Sequence, residues 1–437
     1  MADTKMYWWK NAKIYELYID KFAGDIKGLT GRLDYFTKLG INCLHILPHF
    51  PSPMVDDGYD VMDYRNVRPE LGTLEDFGML VKEARARNIR IIIDIVLNHT
   101  SEQHPWFQEA RASKSNSKRD YYLWRDVQFG FEGSVNAFPD IKSNNWIPNP
   151  QTGDYYFATF YPQQPDLNWD NPEVQAAMLD NMDFWAELGV DGFRLDAAPH
   201  LIKREGTTSV GLPETHAIIK LIRKYIEEKY PEVILLAEAH QSIALTKKYF
   251  GEGDECHMAY HFPLMEAMWI ALAIGERSGV EKMVAESFNI PENCGWATFL
   301  RNHDEISLST LQPEARARLV AFLDPQHLYP FKKGEYTSVR IANVFNGDVQ
   351  KIAVAFEILY SQPGSPIMYY GDEIGMKNLP LAEGIIDTRK YVRGAFDWQE
   401  AEKQMADPDS LFNRVAQIIH NVPASQPAPP SATAATG

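Results

Sequence analysis

Eight short apolar, β-type runs separated by helical patterns constrain this chain more than any other feature. They cover residues 13–18, 43–47, 89–97, 192–197, 233–239, 256–262, 296–301 and 366–370. Runs of this length alternating with helices are the pattern of βα units around a parallel sheet. The intervening helices carry start signals. Thr73-Leu74-Glu75-Asp76 reads as a capping box opening a helix that runs to about Asn88. Asn171-Pro172-Glu173 offers an N-cap, a proline at the first helical position and an early acid, and a further helix fits residues 214–230. Eight such strands predict an α/β fold, a (β/α)8 TIM barrel, with its active site at the C-terminal ends of the strands.

Two segments break the rhythm. Between residues 100 and 168 the βα spacing fails, and Gly, Pro, Asn and aromatic residues crowd in. A structureless loop of that length is improbable in a compact domain, so the expectation is a small inserted subdomain after strand three. The Pro/Ala-rich stretch 421–437 reads as a disordered tail. The expected organisation is a barrel made of residues 1–99 and 169–420, interrupted by the insertion 100–168. No periodic repeat and no Walker A pattern interrupts that reading.

Composition narrows the function classes. The 437 residues carry 43 basic and 59 acidic side chains, a net charge of −16, which repels phosphate backbones and argues against nucleic acid as a partner. No apolar stretch reaches the ~20 residues of a membrane helix, and the first thirteen residues lack a signal-peptide core. Three cysteines are too few for a disulfide scaffold, so a reducing, cytoplasmic location is expected. Aromatic residues reach 12%, flat surfaces that suit sugar stacking as well as a core.

The chemistry sits where strands end. IIIDIVLNH puts Asp94, Asn98 and His99 in or just after strand three, and GFRLD puts Arg194 and Asp196 on one face of strand four. LLAE ends strand five in Glu238, and FLRNHD ends strand seven in His303 and Asp304. One carboxylate at a strand end is a common helix cap or salt-bridge partner. Three that close strands of one barrel converge on one mouth. Such carboxylates suit glycoside cleavage, in which one attacks the anomeric carbon and a protonated one assists the leaving group.

These segments resemble the signature regions of the α-amylase family, glycoside hydrolase family 13. DIVLNH, GFRLDAAPH, LLAEA and FLRNHD match its four main regions in order; GINCLHILP, QPDLN and GSPIMYYGDEIGM match secondary ones. The resemblance implies Asp196 as nucleophile, Glu238 as general acid/base and Asp304 as transition-state stabiliser. It implies His99, Arg194 and His303 around the −1 sugar, with Phe160 and Gln164 as further substrate-binding residues. Arg194 would also keep Asp196 ionised. Asp56 and Tyr59 in VDDGYD match the family's Asp and stacking Tyr at the non-reducing end, and Arg393 in VRGAFDW matches the Arg that pairs with that Asp. Such a barrier implies a blind pocket and exo-action.

QPDLN and long runs such as LPETHAIIKLIR are similar to trehalose synthase and oligo-1,6-glucosidase members. The resemblance therefore implies a retaining enzyme on short α-glucosides such as maltose, trehalose, sucrose or maltooligosaccharides, acting by hydrolysis or glucosyl transfer. The alternatives are an endo-acting α-amylase and a catalytically silent sugar-binding or scaffold homologue. The acidic calcium loop of many relatives is missing, and Lys203 stands where calcium-dependent members tend to have an acid, so no metal or other cofactor is expected. The family's C-terminal β-sandwich is also not expected, because the sequence runs from a last helix near residues 409–420 into the tail. Asn98-His99-Thr100 fits a glycosylation triplet but ends a core strand. His257 and His261 read as structural rather than metal-binding.

Overall fold

The computed structural model describes residues 7–422; most of the expected tail, residues 423–437, lies outside the described residues. Eight parallel strands close into a barrel. They are β1 (Ile14–Leu17), β2 (Cys43–Ile46) and β3 (Arg90–Val96) before an insertion that carries β4 (Trp124–Arg125), β5 (Trp146–Asn149) and β6 (Asp154–Phe157). The barrel resumes with β7 (Gly192–Asp196), β8 (Ile234–Ala237), β9 (Met258–Tyr260) and β10 (Gly295–Phe299). A hairpin of β11 (Pro330–Phe331) and β12 (Tyr336–Thr337) precedes the closing strand β13 (Ser365–Tyr369). The order around the barrel is β1-β13-β10-β9-β8-β7-β3-β2. Each barrel strand falls inside or within one residue of an expected run. The strands are buried on both faces, which is why they read as largely apolar runs rather than as an apolar/polar alternation.

The helices begin where their caps predict. Thr73 Oγ1 accepts the Asp76 N–H while the Asp76 carboxylate accepts the Thr73 N–H, opening the helix Leu74–Ala86. Asn171 caps Pro172–Leu188, and Gly189 ends that helix in the left-handed region. The helix expected at 214–230 is Pro213–Lys229, and the last described helix is Leu411–His420. His261 caps the helix Phe262–Ile274 through Nδ1 and meets Ser287 through Nε2, while His257 Nδ1 accepts the Leu235 N–H. Cys43, Cys256 and Cys294 are buried free thiols.

β4, β6 and β5 form a three-stranded antiparallel sheet standing over the C-terminal side of β3. The isolated bridge His99↔Asp166 ties the end of this excursion to the barrel rim, and Tyr122↔Leu167 joins two stretches within the excursion. Among the described residues no β-sandwich follows the barrel, and no helix is long and apolar enough to cross a membrane.

Candidate active site

Barrel register sets the carboxylates side by side. Asp94 on β3 pairs with Arg194 on β7, and Val96 with Asp196; Arg194 pairs in turn with Leu236 and Leu195 with Ala237 on β8. The next residue pair along that register is Asp196 and Glu238, and the Glu238 N–H donates to the Leu195 carbonyl at 3.3 Å. Ala197, immediately after Asp196, takes φ +48°, a left-handed conformation that costs a non-glycine residue about 1 kcal/mol. That turn aims the Ala197 N–H at Glu238 Oε2, 3.0 Å away, so strain beside one carboxylate orients the other.

A cavity of about 300 Å³ opens at the C-terminal ends of the strands, at the small end of the range for ligand sites. Asp196, Glu238 and Asp304 line it together, with Asp56, Tyr59, His99 and Phe160. Four further site residues named from the sequence lie elsewhere. Arg194 and His303 are buried beneath the cavity, Gln164 is fully buried against Asp56, and Arg393 sits behind Asp304.

Arg194 is the electrostatic centre. Its guanidinium donates to Asp94 Oδ1 at 2.6 Å and to Asp196, and Nη2 lies 2.6 Å from Glu238 Oε1. One cation is divided among three carboxylates, and at Asp196 its pull, in the direction the resemblance implied, is outweighed. Burial pushes the Asp196 carboxyl well up; Arg194 pulls the other way, and Glu238, Asp94 and Asp304 add to the rise. At Glu238 burial is outweighed by Arg194 and His240, which bring its carboxyl down to about 2. Asp304 is held well below the usual carboxylate range: burial opposes this, but His303, Arg389 and Arg393 prevail.

Beneath them runs a polar chain that sequence reading missed. Glu16 on β1 meets His45 Nδ1 at 3.2 Å; His45 Nε2 meets Asp94 Oδ2 at 2.9 Å; Asp94 takes Arg194. Glu16 also receives the His303 N–H at 2.7 Å and faces His303 Nδ1 at 3.0 Å. His303 Nε2 lies 2.7 Å from the Tyr59 hydroxyl and 3.2 Å from Asp304. Burial would lower His303, but Asp304 and Glu16 raise it to about 9, so it is an imidazolium that clamps Asp304. His99 has no such partner; burial lowers it to about 4, and its buried Nε2 carries no hydrogen bond. The signal for the missed residues was present, since IYEL places an acid, Glu16, and CLHI a histidine, His45, in strands that are otherwise largely apolar.

The Asp–Arg pairing needs a correction. Asp56 does not pair with Arg393. Its Oδ1 accepts from Arg389 Nη2 at 2.9 Å and its Oδ2 from Gln164 Nε2 at 3.0 Å. Arg393 instead donates to Asp57 Oδ2 at 2.6 Å and Asp304 Oδ1 at 2.7 Å. Arg389 also reaches Asp304 Oδ1 at 3.1 Å and Asp387 Oδ2 at 2.6 Å. The reason is local: Asp387 caps the short 3₁₀ turn Thr388–Val392 by accepting the Arg389 N–H, which folds Arg389 toward the cavity four residues before Arg393. Even so paired, Asp56 is pushed by burial up to about 6.

Lys203 is buried, its ammonium 2.7 Å from Asn98 Oδ1 and 2.6 Å from Asp166 Oδ2, and also bonded to the His200 carbonyl. A cation from the chain thus fills the position between the β3 end and the insertion.

With this geometry in hand, comparison with known proteins is direct. Residues 4–324 match the alpha-amylase catalytic domain model. The chain belongs to the α-amylase family. It is 43% identical over 425 residues to a trehalose synthase/amylase of Mycolicibacterium smegmatis, covering 94% of this chain and 70% of that protein. It is 44% identical over 402 residues to a trehalose synthase of Thermus thermophilus, covering 90% and 41%, and 31% identical over 446 residues to an oligo-1,6-glucosidase of Heyndrickxia coagulans, covering 93% and 74%. Among solved structures, an isomaltulose synthase mutant from Erwinia rhapontici in complex with its natural substrate sucrose superposes with a TM-score of 0.76 at 26% identity, covering 96% of this chain and 84% of that one. The chain is accordingly a retaining α-glycoside hydrolase or transglucosidase by family.

Proposed function

We propose that this enzyme acts on the terminal glucose of short α-glucosides, maltose foremost, and transfers it from Asp196 to a second sugar or to water, as a trehalose synthase-like or α-glucosidase-like exo-enzyme. One observation carries the exo reading. The Asp56–Arg389–Asp304 ion network runs along the wall of a cavity of only about 300 Å³, beside the catalytic carboxylates. A bound glucose would give its outer hydroxyls to Asp56 and Arg389, and subsites beyond −1 would be walled off. Similarity to trehalose synthases over most of the chain supports isomerisation as the preferred outcome.

In this reading an Asp196 oxygen attacks the anomeric carbon and the glycosidic C–O bond breaks. The departing oxygen takes the proton of Glu238. Glu238, now a carboxylate, then removes a proton from water or from an acceptor hydroxyl, whose oxygen attacks the same carbon and frees Asp196. Asp304, kept ionised by His303 and the two arginines, faces the positive charge that develops on the sugar.

Lys203 supports the absence of a calcium site here, because its ammonium already meets Asn98 and Asp166. Three buried thiols suit a reducing compartment, and the cytoplasm is the proposed location. The experiment is product analysis with maltose and with maltoheptaoside blocked at its non-reducing end. Glucose or trehalose from maltose with no cleavage of the blocked chain is expected. Rapid cleavage of the blocked chain would mean an open cleft and an endo-acting amylase.

A further inference from the structure

His240 is not among the residues that the sequence marks, yet it touches the proposed acid/base. It stands two residues after Glu238, where the Gln241 N–H donates to the Ala239 carbonyl at 2.9 Å and folds the chain back on itself. The tight turn returns the imidazole to Glu238, with Nε2 3.3 Å from Oε1. Its ring is fixed from the other side by Phe262, with centroids 3.7 Å apart, and it lines the cavity. Glu238 is then held at both oxygens: Oε2 by the Ala197 N–H, Oε1 by Arg194 and His240. Arg194 is shared with Asp94 and Asp196, so among the described residues His240 is the one side-chain hydrogen-bond partner given to Glu238 alone.

We propose that His240 is a positioning residue for Glu238, fixing the carboxyl that protonates the leaving oxygen and making it a readier proton donor. This rests on the reading of Glu238 as acid/base. A donor hydrogen bond favours the carboxylate over the carboxylic acid, so it strengthens the acid when Glu238 gives up its proton. The other titratable groups that feel His240 are Glu305 on the cavity wall, Glu266 and His200. Glu266 is engaged by Thr310, and burial holds His200 near 4 and uncharged, which leaves Glu238 and Glu305 as the charges His240 can answer to.

The test uses His240→Phe, which keeps a ring against Phe262 without a donor, and His240→Gln, which restores a donor. Two substrates separate the roles: maltose needs a proton on its leaving oxygen, whereas α-glucosyl fluoride leaves without one. For His240→Phe the expected result is a fall in kcat on maltose of roughly tenfold or more, with KM changed by less than about threefold. The fluoride-release burst should change little. The alkaline limb of kcat/KM for maltose should move up, because Glu238 then holds its proton to higher pH, and His240→Gln should recover part of both effects. Equal losses on the two substrates with an unmoved alkaline limb would overturn the proposal and leave His240 a packing residue. Glu238→Gln is measured beside them. If it loses maltose and the fluoride burst alike, the acid/base reading itself fails, and the proposal with it.

Discussion

The corrected pairing of Asp56 makes a quantitative prediction. At 2.9 Å and an effective dielectric of about 20, the attraction between the Arg389 guanidinium and the Asp56 carboxylate is roughly 6 kcal/mol gross. Desolvation of two groups each under a tenth exposed consumes most of it, so a double-mutant cycle should leave a coupling of about 2–3 kcal/mol. Arg393 makes no contact with Asp56, and its coupling to Asp56 should stay below about 1 kcal/mol. Arg389→Gln alone should cost more than the pair, about 3–5 kcal/mol, because it leaves the buried Asp56 and Asp387 both without a cationic partner. The assay is urea denaturation of Asp56→Asn, Arg389→Gln, Arg393→Gln and the two double variants, with kcat/KM on maltose measured alongside. Equal couplings for the two arginines, or a larger one for Arg393, would refute the assignment of Arg389 as the partner.

Asp196→Asn and Glu238→Gln should each lose several orders of magnitude in maltose turnover while melting within a few degrees of the parent, and wild-type-like turnover in either would remove the proposed mechanism. Lys203→Met should lower the melting temperature by stranding the buried Asp166, whereas EDTA should leave the parent enzyme's melting temperature unchanged; a fall reversed by calcium would reveal a bound ion instead. Glu373 offers a pH test away from the site. Burial raises its carboxyl to about 7; the Tyr15 and Tyr35 hydroxyls, each 2.6 Å from Oε1, offset this in part, and Oε2 has no partner. Between about pH 4 and 7 the unfolded chain loses this proton and the folded protein keeps it, so stability drains away as pH rises through that window. Glu373→Gln should therefore gain on the parent with rising pH, by up to about 3 kcal/mol above pH 7, and a difference that is the same at pH 5 and pH 8 would contradict the burial of an uncharged acid.

The sequence by itself determined the barrel and the residues that meet at its mouth. Periodicity and caps are local properties, so runs such as RIIIDIV and GFRLD, with the Thr73–Asp76 box and the Asn171 cap, write their own elements. Eight parallel strands have one common closed arrangement, and closure alone carries Asp196, Glu238 and Asp304 to one rim. Pairing across the barrel is a different matter. Asp56 could reach Arg389 or Arg393, four positions apart on a short turn, and a linear reading chose the wrong one because the choice rests on how Asp387 caps that turn. Glu16, His45 and His240 were likewise invisible as a group, since each looks like a stray polar residue until the strands bring them beneath or beside the carboxylates. The contrast between a raised Asp196 and a lowered Glu238 was also a tertiary result. It depends on how one buried guanidinium divides itself among three acids, and Coulomb's law in a dry site acts on distances through space that sequence order does not record.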